Sequence, residues 1–337
     1  MDIECLSCGC MNNGEAGTAI FFHVLTAFPS MSHTFLFAAL SAMGMPPHIQ
    51  RAIRYLYTGA HHFWRHKGSV YYAFRAATGV RQGCPLSALL FAITTNCILK
   101  FLLEQLGDEG SLRAYADDIA AAAKHIWSIA PSLATAFHTI AQGSNLKRNI
   151  PKCVVVPLWR SGVVEVAARL STIVPHWRQM DIAQVARYLG VWIGPFTNDA
   201  SWDHAIERCT TRSKAAGVLG AGSFCSVLAL KLYASSVLHY IAQFCPPSMK
   251  HVRKYREAVV TAAGNPRHWI PYEIATSLQQ LQLAPSSIPN LQVMAQAAIM
   301  SRVVNGQVNL DDCTAVMANN EAQRIWLGDR VRGWMGA

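Results

Sequence analysis

Apolar side chains along this chain follow two periods, and the change from one to the other divides it. Thr18 to Thr26 is rich in β-branched and aromatic residues and predicts a buried strand. Beyond a Pro29-Ser30 turn, Phe35, Leu36, Ala39, Leu40 and Met43 share one face of a helix over 32–43. Gly44 and the Pro46-Pro47 pair end that helix and start another over 48–58, carrying Ile49, Ile53 and Leu56. Residues 61–77 predict a hairpin turning near Lys67-Gly68, and a long apolar helix follows over 86–106, closed by Gly107. Ser111 to Ala123 predicts strand, tight turn, strand, with Asp117-Asp118 at the turn. A helix over 130–142 leads through Gly143-Ser144-Asn145 to a short strand from Cys153 to Pro157, and Tyr188 to Gly194 gives one more strand pattern. From residue 200 the period is helical, over 200–218, 224–243, 248–263 and 285–304.

This order predicts a mixed α/β (α+β) fold, an antiparallel sheet covered by helices on one face and followed by a helical region. The helix over 86–106 is expected beneath the strand pair that carries Asp117. Four segments follow: an N-terminal tail (1–17), a sheet-bearing domain (18–198), a helical region (199–264) and a helical extension (265–337) without an assignable motif. The break falls near Phe196-Thr197-Asn198-Asp199. There is no internal repeat or low-complexity linker.

Charge changes the picture more than overall composition does. Hydrophobic residues make up 52% of the 337 residues and charged ones 14%, which excludes a disordered chain. Lys and Arg number 29 against 19 Asp and Glu, a net +10 that favours a polyanionic partner. The carboxylates are unevenly placed. None lies between Glu15 and Glu104, where Arg51, Arg54, Arg65, Lys67, Arg75, Arg81 and Lys100 all fall, and none between Asp118 and Glu165. Such stretches make a field suited to phosphates, or an ordinary solvated basic face. Set between them, the adjacent Asp117 and Asp118 form a candidate metal site. Ten cysteines are too few at this length for a disulfide scaffold, so free thiols in a reducing, intracellular setting are expected. The N-terminus has no signal-peptide pattern. Residues 86–103 are apolar enough to test as a membrane span, but Thr94, Thr95 and Asn96 in mid-segment favour a buried core helix, and no membrane contact is expected.

Two strings carry the chemistry: Gly79-Val80-Arg81-Gln82-Gly83-Cys84-Pro85-Leu86-Ser87 and Tyr115-Ala116-Asp117-Asp118. In this order and context they resemble the second and third palm motifs of reverse transcriptases, especially those of non-LTR retrotransposons. Ala27 to His33 is similar to the end of the family's first palm motif, Asn149 to Cys153 to its fourth, and Tyr188-Leu189-Gly190 to its primer grip. The resemblance covers about residues 18–260 and implies a palm over 18–198 followed by a thumb-like region. It implies an RNA-directed DNA polymerase that takes an RNA template, a DNA primer and deoxynucleoside triphosphates, with Mg²⁺ or Mn²⁺ as cofactor. By that resemblance Asp117 is a metal ligand and Asp118 its neighbour. Gln82 and Gly83 meet template and incoming base, and Phe28 walls off the sugar 2′ position. Lys152 serves the departing pyrophosphate, while Arg81, Tyr188, Leu189 and Gly190 touch primer or template. Each has an ordinary alternative: Gly83 a helix start, Phe28 a core ring, Lys152 a solvated surface group.

The sequence also departs from that family's pattern. His23 stands where the first motif carries a metal-bridging aspartate, and no carboxylate lies within residues 16–103 to replace it. Glu15, eight residues upstream, is at least ~20 Å away along an extended strand. Ala88 replaces a usual proline. With 22 residues before His23, the fingers subdomain is not expected, nor is an endonuclease or ribonuclease H signature found. The expectation is a truncated copy of weak or no activity, the alternative being a nucleic-acid-binding remnant without catalysis. Cys5, Cys8 and Cys10 have thiol spacing that begins a zinc site, but a second ligand pair at the usual distance is missing. His61, His62, Trp64, Arg65 and His66 form either a stacking and phosphate surface or an exposed hairpin.

Overall fold

The computed structural model describes residues 17–159, 162–195, 199–218, 223–262, 271–282 and 287–305. Contacts gather into two compact units, one within residues 13–186 and one from Arg187 onward. The Cys5, Cys8 and Cys10 cluster lies outside the described residues.

The first unit is built on a five-stranded sheet. Its strands are β1 (Thr18–His23), β4 (Gly110–Tyr115), β5 (Asp118–Ala123), β6 (Val154–Pro157) and β7 (Asp181–Ile182), in the order β4-β5-β1-β6-β7. All neighbours are antiparallel except the β6–β7 pair, which is parallel. β1 lies at the centre and pairs from Thr18↔Ala123 to His23↔Asp118 on one side and from Thr18↔Pro157 on the other. Its sequence is an unbroken apolar run because both of its faces are covered. Ile20 and Phe22 enter the main core, while Ala19 and Phe21, which point the other way, are also buried. The expectation of a sheet covered on one face only is corrected on this point: Ala120, Ala122 and Val156 on that second side are buried too.

Helices supply the rest of this core: α1 (Ala27–Ser30), α2 (His33–Ala42), α3 (Pro47–Tyr57), α4 (Pro85–Leu106), α5 (Ile126–Ser144) and α6 (Gly162–Ile173). Phe22 meets the ring of Phe137 on α5 at 4.5 Å and that of Trp177 at 5.7 Å. Among the described residues α4 alone is long and apolar enough to cross a membrane. In this fold Ser87, Leu90, Phe91, Thr94, Ile98, Leu102 and Leu106 make one buried stripe at helical spacing. Phe91, Thr95 and Ile98 line a cavity shared with Ala114, Ala116 and Ile119 of the β4–β5 hairpin, so α4 does lie beneath the strands flanking Asp117. Helix α6 was not anticipated. Its Val-rich start, Val163, Val164 and Val166, carries a strand-like composition over a helical burial pattern of Val166 and Leu170.

β2 (His61–His66) and β3 (Ser69–Arg75) form a separate two-stranded ribbon turning at Lys67-Gly68, as the sequence predicts.

The second unit opens with a hairpin. The expected single strand over Tyr188–Gly194 is corrected to β8 (Ala186–Tyr188) and β9 (Val191–Ile193), joined through Leu189 and Gly190. Both turn residues have positive φ, +46° and +92°, which is the I′ geometry that matches strand twist. Helices α7 (Ala200–Val218), α8 (Ser223–Ala229), α9 (Ser236–Ala242), α10 (Met249–Ala262), α11 (Tyr272–Thr276) and α12 (Leu291–Val304) enclose a second core around Trp202, Leu238, Tyr255 and Leu291. The expected helix over 224–243 is interrupted by a π-turn at Leu230–Ala234 between α8 and α9.

Candidate active site

β1 and β5 pair so that their ends carry the site. Because His23 stands opposite Asp118, the imidazole and the carboxylate emerge side by side at one end of the paired strands. Tyr115↔Asp118 closes the neighbouring pair, leaving Ala116 and Asp117 as a two-residue loop. Ala116 holds φ at +53°, and the Asp117 carbonyl accepts from Val24 N–H at 3.1 Å, tying the loop to β1. His23 Nδ1 donates to Asp118 Oδ1 at 3.1 Å and lies 3.8 Å from Asp117 Oδ2. One ligand atom from each of the three lies within 4.8 Å of the others. The side chains are 30–44% exposed, open enough for a substrate to reach. Two carboxylates and an imidazole at this spacing fit a divalent cation. The imidazole tilts the set away from Mg²⁺, which prefers oxygen, and toward ions that accept nitrogen more readily, Zn²⁺, Cu²⁺ or Mn²⁺.

The fourth-motif segment holds β1 from the other side. Asn149 N–H donates to the His23 carbonyl at 2.8 Å, and His23 N–H points at Cys153 Sγ at 3.5 Å. Burial pushes the Cys153 thiol up, with the His23 N–H opposing, so it acts here as a neutral packing group. Arg148 was not singled out from sequence. It bridges to Val24, lies over the rings of Phe137 at 4.6 Å and Trp177 at 5.7 Å, and leaves Nη1 without a hydrogen-bond partner. Burial pulls its pKa below the ordinary arginine value, and Cys153 works the other way. No periodicity signals such a residue, because an isolated arginine in a basic stretch reads as surface. Lys152 ends a single 3₁₀ turn over Ile150–Lys152 and is exposed; its N–H donates to the carbonyl of Asn149 at 2.9 Å, the same residue whose N–H bonds to His23.

The first and second motifs are clipped together. Gly79 N–H donates to the Met31 carbonyl at 2.7 Å, Val80 N–H to Phe28 at 2.8 Å, and Thr78 Oγ1 to Pro29 at 3.0 Å. His33 Nε2 completes the clip on the Gly79 carbonyl at 2.9 Å. Phe28 is half-buried and stacks on Phe91 of α4 at 4.5 Å and 13°. Gln82 and Gly83 are exposed, and Gly83 has φ +85° with nothing within 4 Å of where a β-carbon would stand. Arg81 donates Nη2 to the Leu56 carbonyl and lies 5.7 Å over the Tyr57 ring, so the fold gives it an internal partner. Tyr57 also bonds to Cys84 Sγ at 3.3 Å and Ser87 Oγ at 2.9 Å, and that hydroxyl contact lowers the Cys84 pKa. Ala88 is exposed on α4.

In the second unit, Tyr188 is buried and the Leu189 carbonyl accepts from Tyr240 Oη at 2.7 Å, which pins the hairpin turn to α9.

With this geometry in view, the chain can be compared with known proteins. Residues 4–193 match the family described as "Reverse transcriptase (RNA-dependent DNA polymerase)". The chain belongs to the reverse transcriptase family. A Xenopus laevis protein described as the transposon TX1 uncharacterized 149 kDa protein is 22% identical over 257 residues, 72% of this chain. The chain spans 19% of that relative's length. Among solved structures, apo telomerase from Candida tropicalis is similar with a TM-score of 0.48 at 12% identity, over 94% of this chain and 53% of that one. Telomerase from Candida albicans, complexed with a fragment of telomeric RNA, gives 0.45 at 10% identity, over 96% and 53%. The family assignment rests on the sequence match.

Proposed function

We propose that this chain is the core of an RNA-directed DNA polymerase of the non-LTR retrotransposon kind, intracellular and metal-dependent, with its activity handicapped at the first motif. In this reading residues 18–198 are the palm, 199–264 a thumb-like region and 265–337 an extension of unassigned role. The observation that carries it is the meeting of His23, Asp117 and Asp118 on paired strands, with all three ligand atoms within 4.8 Å. Mg²⁺ or Mn²⁺ held by Asp117 and Asp118 would activate the attacking 3′-hydroxyl and offset charge on the leaving pyrophosphate.

The chain's own groups do the rest. Phe28, fixed by its stack on Phe91, walls the sugar 2′ position of the incoming deoxynucleoside triphosphate. Gly83 leaves space for a base pair to approach the backbone, and Gln82 beside it both donates and accepts. Lys152 donates a proton toward the departing pyrophosphate. The Tyr188-Leu189-Gly190 turn holds the DNA primer, and Arg81 orders the loop that meets the RNA template. His23 brings an imidazole where the family brings a carboxylate, and its Nδ1 is engaged with Asp118.

The test is primer extension on an RNA template with Mg²⁺ or Mn²⁺, comparing the unmodified chain with His23→Asp and Asp117→Ala. Expected are weak synthesis that favours Mn²⁺, a gain of at least about 10-fold in Mg²⁺ for His23→Asp, and none for Asp117→Ala. Strong Mg²⁺-dependent synthesis by the unmodified chain would remove the handicap. Silence of His23→Asp in both metals would remove the polymerase reading itself.

A further inference from the structure

The ribbon β2–β3 is a part of the first unit that the described fold leaves uncovered, and it gathers five exposed rings. Phe63, Trp64, Tyr71, Tyr72 and Phe74 are 60%, 54%, 47%, 57% and 56% exposed, on both faces of the ribbon. A two-stranded hairpin without a packed face is marginal in water, so the rings stabilise it chiefly against one another. Trp64 lies 5.4 Å from Tyr71 and stacks on His66 at 5.5 Å, while His62 stacks on Phe74 at 4.7 Å and 9°. A slip in register between His62 and Phe63 brings Phe74 opposite His62 and so extends that row of rings. On the opposite face Phe63 meets Tyr72 edge-on at 5.8 Å.

Charge decides what such a surface fits. Arg65 and Lys67 lie at the ribbon's tip, with no ion-pair partner among the described residues, in a stretch (16–103) that contains no carboxylate. A protein partner with an apolar face would match the rings and leave these cations uncompensated. A duplex would match the cations but hide the faces of its bases. A single strand matches both, since its phosphates meet the cations and its unstacked bases lie on aromatic faces. Alternate strand positions put same-face rings roughly 7 Å apart, a spacing a flexible strand meets by splaying successive bases.

We propose that the β2–β3 ribbon is a binding site for single-stranded RNA. The choice of RNA rests on the polymerase reading, in which the strand arriving unpaired is the template; the surface itself does not. The site is separate from the His23, Asp117 and Asp118 cluster, and binding at it needs neither primer nor triphosphate.

The experiment is fluorescence anisotropy of an unstructured 16-nucleotide RNA, and of DNA of the same sequence, with the whole chain. The variants are Trp64→Ala/Tyr71→Ala, Trp64→Phe/Tyr71→Phe, Arg65→Ala/Lys67→Ala and Asp117→Asn. The alanine pair at the rings is expected to weaken RNA binding at least 10-fold, while the phenylalanine pair and Asp117→Asn leave it within about twofold. Removing both cations should reduce the slope of log K against log salt by about 1.4. Circular dichroism checks that the exposed substitutions leave the fold intact, and quenching of Trp64 fluorescence, absent in Trp64→Phe, locates the strand. RNA affinity unchanged in the alanine pair would overturn the site. So would a self-association lost in that pair while RNA binding persists, which would make the ribbon a protein interface. Tighter binding of DNA than RNA through these rings would overturn the choice of strand. A chain that binds RNA here yet extends no primer after His23→Asp would keep this site and lose the polymerase reading.

Discussion

At Gly79 a β-carbon would stand 2.4 Å from the Pro29 carbonyl oxygen and 2.6 Å from its carbon, with φ at +85°. Backbone atoms cannot yield as a flexible side chain does, and positive φ adds its own strain, so Gly79→Ala should cost about 2–4 kcal/mol. Gly83 has the same φ and open space around it, so Gly83→Ala should cost only about 1 kcal/mol while obstructing whatever approaches the exposed backbone. Chemical denaturation of the two variants checks the order; equal losses would mean that the clip between the first two motifs contributes little. At this scale much was readable beforehand. Asp117, Asp118, Gln82 and Gly83 stand in short strings whose order is itself informative, and a missing carboxylate at position 23 needs only the sequence to be seen. Arg148 and the internal partners of Arg81 were not readable, because neither a buried arginine nor a carbonyl acceptor leaves a trace in spacing.

The hairpin β4–β5 turns through Ala116, a residue with a β-carbon at φ +53°, in a loop position where glycine is usual. That conformation costs about 1–2 kcal/mol, and glycine in the unfolded chain gives back about 0.5–1 kcal/mol of it. Ala116→Gly is therefore expected to stabilise the protein by about 0.5–1 kcal/mol, seen as a higher denaturation midpoint with unchanged slope. A lower midpoint would show that the methyl group packs usefully in the cavity behind the turn. Elements with a single dominant signal were legible: β1 by its apolar run, α4 by its length, and the β2–β3 turn by Lys67-Gly68. Those where two signals compete were not. The valines at the start of α6 blurred its helical period, and the Leu189-Gly190 turn hid inside an apolar run because leucine rarely adopts positive φ. The two-residue β7 is too short to have any pattern at all.

Across the whole molecule, each unit has its own core and its own electrostatic fastening. In the second unit the fully buried His251 takes Ser248 Oγ at 2.8 Å and Asp203 Oδ1 at 3.1 Å, and Lys250 reaches the same Asp203 oxygen at 2.8 Å. The Lys250 contact, and then His251, hold the Asp203 carboxyl below its usual pKa. A depressed carboxylate contributes stability above its unfolded pKa and loses it as pH falls through the folded value. The loss therefore belongs below about pH 4 and not near neutrality. Asp203 is half exposed, so Asp203→Asn should flatten that acid limb by no more than about 2 °C in Tm, measured from pH 6 down to 3. An unchanged limb would assign acid sensitivity elsewhere. Another consequence follows from the order of the sheet. Its central strand is made first, and the partner opposite His23 comes 95 residues later. At about 5–20 residues per second, a ribosome leaves the largely apolar hexapeptide Thr18–His23 unpaired for roughly 5 to 20 seconds on the nascent chain. During synthesis this strand is the natural client for a chaperone and the first place where neighbouring nascent chains would stick to each other.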